Sequence, residues 1–226
     1  MAITTKDLQR LFDLIAEDIA AHRDHLCELD GAIGDGDHGL AMDAGCEAAA
    51  KAVAALDPGQ AAPTAAFNAA AKAFLNAVGA SSGPLYATAF MRAGAAVKDR
   101  PDLRDEEFVR AFAAMAAGIQ ERGKTEPGQK TMVDAWKPAA DAALDALASG
   151  ASLKQCFGLA ERAALQGCEA TRDMTAAKGR ASRLGDRVIG HIDPGAASAA
   201  IIIASFTRFT IIMIDSSYIS WHANVR

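Results

Sequence analysis

The chain has 226 residues, 51% hydrophobic and 23% charged, with a formal net charge of −5. That much apolar side chain can offset the entropy of ordering the backbone, which excludes disorder as the main state, and the excess of acid over base excludes a chain-wide nucleic-acid footprint. Cys27, Cys46, Cys156 and Cys168 show no CxxC or Cys/His metal spacing, so they read as scattered thiols of a reducing compartment.

The start, MAITTKDLQR, carries charges where a secretory signal needs an apolar stretch, so a cytoplasmic location is expected. Apolar residues then recur at helical spacing, and Ala supplies about a quarter of the chain. Leu8, Leu11, Phe12, Ile15 and Ile19 form the stripe of a first helix over about 5–28, entered through Thr4 with Asp7 three residues on, as in a capping box. Turn chemistry at 30–39, 57–63, 79–84, 98–102, 122–130, 148–150 and 178–195 divides the remainder. It predicts helices over 38–56, 64–78, 84–98, 104–121, 130–148, 152–175 and 195–214, eight in all. With no flexible linker and no fixed-period repeat, the expected fold is all-α and single-domain, a bundle carrying its polar residues on the loops at one end.

Residues 199–214, AAIIIASFTRFTIIMI, are the one candidate membrane segment, but Arg208 interrupts them and a spanning helix needs about 20 apolar residues, so no span is expected. Seven of the fourteen Ile fall after residue 200, where the Ala-rich texture also stops. Residues 201–226 therefore read as a divergent tail: a β-prone partner surface, a last helix with an extension, or a frame-altered terminus.

Four loops concentrate polar chemistry. In Leu29-Asp30-Gly31-Ala32-Ile33-Gly34-Asp35-Gly36-Asp37-His38-Gly39, three carboxylates share a short glycine-rich turn that can aim them at one centre. Their repulsion calls for a cation, and a hard metal such as Mg²⁺, held by few carboxylates, points to a phosphorylated ligand. An EF-hand is excluded, because the twelfth position from Asp35 is Cys46 where a bidentate Glu is required. Gly79-Ala80-Ser81-Ser82-Gly83-Pro84 suits a phosphate at a helix N-terminus and equally an ordinary Ser cap before Pro; it is not a P-loop. Lys178, Arg180, Arg183, Arg187 and His191 make a local basic patch, either for an anionic ligand or as a solvated loop. In the stretch 123–134, Thr131 and Met132 at a helix start read as nucleotide contacts or as ordinary core.

Taken in order, LDGAIGDGDHG, GASSGPLYATAF, PGQKTMVDAWKPA and KGRASRLGDRVIGHIDPGAAS resemble the DhaL (DAK2) family, the nucleotide-binding subunit or domain of dihydroxyacetone kinases, over about residues 5–200. The resemblance implies a domain over 1–200, an eight-helix antiparallel barrel, and two Mg²⁺ ions held by Asp30, Asp35 and Asp37. It assigns ADP or ATP contacts to His38, Gly39, Leu40, Ala41, Ser81, Ser82, Gly123, Met132, Arg180, Asp193, Pro194 and Gly195, with Arg180 also in a catalytic role. Gln129 stands where the family usually has Asp, a change expected to alter a loop contact more than the chemistry.

The reaction so implied is phosphoryl transfer by positioning and charge neutralisation. The ketose would sit on a separate DhaK-type subunit, leaving this chain inactive alone. The donor is either a resident ADP recharged by a DhaM-type phosphocarrier of the phosphotransferase system or exchangeable ATP, and the acceptor is dihydroxyacetone or another short ketose such as erythrulose. A nucleotide-loaded module that binds a transcription regulator is the rival from another class; direct nucleic-acid binding is not expected.

Overall fold

In the computed structural model the described residues are 2–79 and 81–223, with side chains in the last helix described as far as Met213. They form eight α-helices: α1 (Thr5–Ile33), α2 (His38–Ala54), α3 (Pro63–Ala77), α4 (Ser82–Ala96), α5 (Asp105–Gly123), α6 (Val133–Ala148), α7 (Leu153–Ala170) and α8 (Pro194–Ala223). Two 3₁₀ segments, Thr171–Asp173 and Ala181–Val188, lie between α7 and α8.

Each helix packs on the next in sequence, and α8 packs on α6 and α7 on one side and on α1 on the other, closing the series into a ring. The short connections make neighbours antiparallel. The loops α1–α2, α3–α4, α5–α6 and α7–α8 therefore gather at one end. At the other end a single antiparallel bridge joins Ile3 and Leu103 through two 2.8 Å hydrogen bonds.

Alanines and aromatics divide the work of packing. Ala66, Ala70, Ala89, Ala93, Ala139, Ala143 and Ala160 are fully buried where helices approach closely. Rings fill the interior as two groups, Phe12, Phe67, Phe74 and Phe90 with Tyr86, and Phe108, Phe112, Phe157, Phe206 and Phe209. Trp136 touches Tyr86 and Phe112 and so joins the two.

Several helix ends differ from the spacing-based boundaries, each for a local reason. The capping box at Thr4 and Asp7 forms as expected. Yet α1 runs on to Ile33, which is buried, and burial of that side chain outweighs the cost of Gly31 in the last turns, about 1 kcal/mol. The start of α6 falls at Val133, because the Asp134 carboxylate accepts from the backbone N–H of Gly128 and of Thr131 and holds 128–131 as a turn. Helix α7 stops at Ala170, where the Thr171 hydroxyl donates to the Cys168 carbonyl at 2.6 Å.

Helix α8 continues through residue 200 without a break and commits Ile202, Ile203, Phe206 and Phe209 to the interior. Pro194–Met213 is long and apolar enough to cross a membrane by length and composition, yet 56% of its most apolar stretch is buried inside the ring. Arg208 stays outside and pairs with Asp18 (2.6 Å) and Glu17 (3.4 Å) on α1. Of the tail 201–226, the side chains after Met213 and all of 224–226 lie outside the described residues.

Candidate functional site

The four polar loops meet at one end of the ring around a cavity of about 770 Å³. Its floor is apolar, from Ile33, Leu85, Ile119 and Met132, and its rim is charged, from Asp30, Asp37, Arg122, Lys178, Arg180 and Arg183.

The acidic wall is built by the end of α1. Asp30 stands on the last turn, Asp35 and Asp37 follow in the turn to α2, and one carboxylate oxygen from each lies within 4.8 Å of the others. Asp30 Oδ2 accepts from the backbone N–H of Asp37 (3.0 Å) and His38 (3.2 Å), which folds the turn back on the helix. Glycine is demanded at two points. Gly36 has φ +79°, and a Cβ on Gly34 would lie 2.2 Å from Asp30 Oδ1. Gly39 brings α2 against α1 so closely that a Cβ would lie 2.0 Å from the Arg23 carbonyl. A close-set trio of carboxylates in a glycine cradle fits a hard divalent cation.

Facing the acids is the basic segment between α7 and α8. Arg180 ion-pairs with Asp35 and stands 3.6 Å from Asp37 Oδ1. Apart from Val188 this segment buries little, and Ala177 N donating to Gln129 O (3.1 Å) ties its start to the α5–α6 loop. Gln129, where an acid was expected, accepts through Oε1 from Glu126 N at 3.2 Å, a contact within its own loop.

Three helix N-termini converge on the cavity: α4 through Ser81 and Ser82, α6 through Thr131 and Met132, α8 through Asp193, Pro194 and Gly195. A helix N-terminus favours an anion, although at α6 the N–H groups of Thr131 and Val133 are already taken by the Asp134 carboxylate and the Thr131 hydroxyl. At α8, Asp193 Oδ2 accepts from Ala196 N at 2.7 Å and caps the helix. Burial pushes the Asp193 carboxyl up to about 7, against the pull of the Ala196 bond and Lys130. His38 Nε2 lies 2.9 Å from Ser198 Oγ, and that hydroxyl donates to Gly195 O at 3.0 Å. Burial lowers the His38 pKa and keeps it neutral.

Of the residues named from sequence, Asp30, Asp37, His38, Ala41, Ser81, Ser82, Gly123, Met132, Arg180, Asp193, Pro194 and Gly195 line the one cavity. Asp35 joins it through Arg180. Like Asp35, two others do not line it themselves: Gly39 is turned onto α1, and Leu40 is 58% exposed on the outer face of α2. Lining residues not singled out as site residues include Ile33, Leu85, Ile119, Thr125 and Lys130. The apolar ones carry no signal apart from core; Lys130, a cation inside a glycine-bounded loop, carried one.

A DAK2 domain profile matches residues 32–208. The chain is 38% identical over 186 residues, 82% of its length and 87% of the relative's, to "PEP-dependent dihydroxyacetone kinase 1, ADP-binding subunit DhaL" of Listeria innocua. It is 38% identical over 183 residues, 80% of its length and 85% of the relative's, to the corresponding ADP-binding subunit of the PEP-dependent dihydroxyacetone kinase of Escherichia coli K12. The dihydroxyacetone kinase from C. freundii, solved in complex with AMP-PNP and Mg²⁺, shares the fold with a TM-score of 0.68 at 23% identity, covering 89% of this chain. The match covers 33% of that kinase, so the chain spans about a third of its length.

Proposed function

Because the chain belongs to the DAK2-domain family, we propose that it is the nucleotide-holding subunit of a dihydroxyacetone kinase, passing a phosphoryl group to dihydroxyacetone carried on a separate DhaK-type subunit. The observation that carries this reading is the Asp30, Asp35 and Asp37 cluster at the mouth of a cavity whose other walls are cations and helix N-termini. A nucleotide diphosphate or triphosphate is the ligand class such a lining suits: an apolar floor for the base, donors and cations for phosphates.

Asp30, Asp35 and Asp37 would hold Mg²⁺, two ions in this reading, which when bound neutralise charge on the phosphates. The chain's own groups do the rest. The N-termini of α4 and α8 present backbone donors from Ser82 and Gly195 to phosphate oxygens, and Arg180, with Lys178 and Arg183 beside it, balances charge as the terminal phosphoryl group leaves. Activation of the ketose falls to the partner subunit.

The names of the two bacterial relatives, PEP-dependent and ADP-binding, support ADP as the resident nucleotide and phosphoenolpyruvate as the phosphoryl source; in this reading a DhaM-type phosphocarrier would link the two. The test is native mass spectrometry of the purified chain, followed by assay. Retained ADP–Mg²⁺ is expected, with no product from the chain, ATP and dihydroxyacetone alone, and product once a DhaK-type subunit and phosphocarrier are added. Robust turnover without partner would overturn the two-subunit reading, and absence of nucleotide binding would overturn the whole.

A further inference from the structure

Lys130 is 1% exposed, yet among the described residues no carboxylate lies within salt-bridge distance of its ammonium, the attraction of Asp193 acting from farther off. Instead Nζ donates to two backbone carbonyls, Thr171 O and His191 O, each at 2.5 Å. Those carbonyls belong to the two ends of the α7–α8 connection. Thr171 in turn accepts, through Oγ1, from Asp193 N at 2.9 Å. The lysine backbone takes φ +55°, unusual for a residue with a side chain, to aim the stem inward.

Burying a cation is expensive, and an apolar side chain of the same volume would fill the space with less penalty. The cation is therefore placed for what it holds. Thr131 and Met132 follow it directly in the α6 turn, and Asp193, Pro194 and Gly195 follow the carbonyl it binds, so one side chain ties two facing walls of the cavity. We propose that Lys130 is a positioning residue for the nucleotide, its buried ammonium locking the α8 N-terminus in register with the α6 N-terminus. This rests on the nucleotide reading above.

Two variants test it, Lys130→Met, which keeps the volume, and Lys130→Ala, which leaves room for a small amine. Isothermal titration with ADP and Mg²⁺ should show affinity about 10- to 100-fold weaker in both, as expected for losing two charge-assisted bonds, with the helical far-UV signal retained. Millimolar n-propylammonium should restore affinity to Lys130→Ala, and n-propanol should not. Unchanged ADP affinity in both variants, or equal rescue by the alcohol, would overturn the proposal. Loss of the helical signal in both would also overturn it, since the residue would then hold the fold and not the site. A wild-type chain that binds no ADP sinks the nucleotide reading itself; wild-type binding with unaffected variants sinks only the role of Lys130.

Discussion

The three aspartates at the end of α1 are chemically alike and structurally unequal. Asp30 is half-buried and accepts two backbone N–H bonds that shape its turn, whereas Asp35 is exposed and pairs with Arg180. Asp35→Asn should therefore weaken Mg²⁺–ADP affinity severely while changing stability by less than about 0.5 kcal/mol. Asp30→Ala, which removes the acceptor, should do both, with about 1–2 kcal/mol lost in urea unfolding. Calorimetric titration beside urea melts separates the two, and undiminished ADP affinity in Asp35→Asn would count against the metal site. Asp193 adds a pH dependence. Its carboxyl is raised to about 7 in the fold, above the ordinary carboxylate range, so folding takes up a proton between about pH 4 and 7. This group's contribution thus declines as pH climbs through that window and is level above it. Asp193→Asn, which can still accept from Ala196 N, should flatten the stability profile there and melt higher than wild type at pH 8; thermal scans by circular dichroism across pH 4 to 8 check both.

Among the elements, α6 and α7 are matched by a missing bond. Pro138 inside α6 has no N–H to offer the Asp134 carbonyl. Gly167 on α7 fills the gap by approaching that carbonyl so closely that a Cβ would lie 1.9 Å from it. Gly167→Ala must push the two helices apart, at about 1–3 kcal/mol. Because the Asp134 side chain also holds the turn 128–131, the same substitution should loosen the α6 end of the cavity and reduce ADP affinity. An unchanged urea midpoint would show that the helices have room to spare. This pairing was not legible in the chain: Pro138 reads only as a helix irregularity and Gly167 as one small residue among many.

For the molecule as a whole, stability depends on closure of the ring by α8. Phe206, 2% exposed, touches Phe108, Phe112 and Phe157, rings from α5 and α7. Truncation to Ala should cost about 3–5 kcal/mol. Arg208→Ala, two residues away, removes surface ion pairs worth less than about 1 kcal/mol. Chemical denaturation of the two variants should differ accordingly; equal losses would mean that α8 is held from outside and not by its rings.

The amino-acid sequence alone determined the helical class, the number of helices and the identity of most cavity-lining polar residues, because heptad-like spacing, caps and glycine-rich turns are local signals set by residues a few positions apart. It also bounded the acid turn, since three carboxylates so near one another cannot escape mutual repulsion. Tertiary structure decided how far α1 and α8 extend, which of the polar residues face inward, and which distant groups Lys130 and Ser198 bond. Those outcomes depend on burial and on partners distant in the chain, such as Thr171 and His191 for Lys130 and His38 for Ser198, and no local pattern records which distant groups will meet.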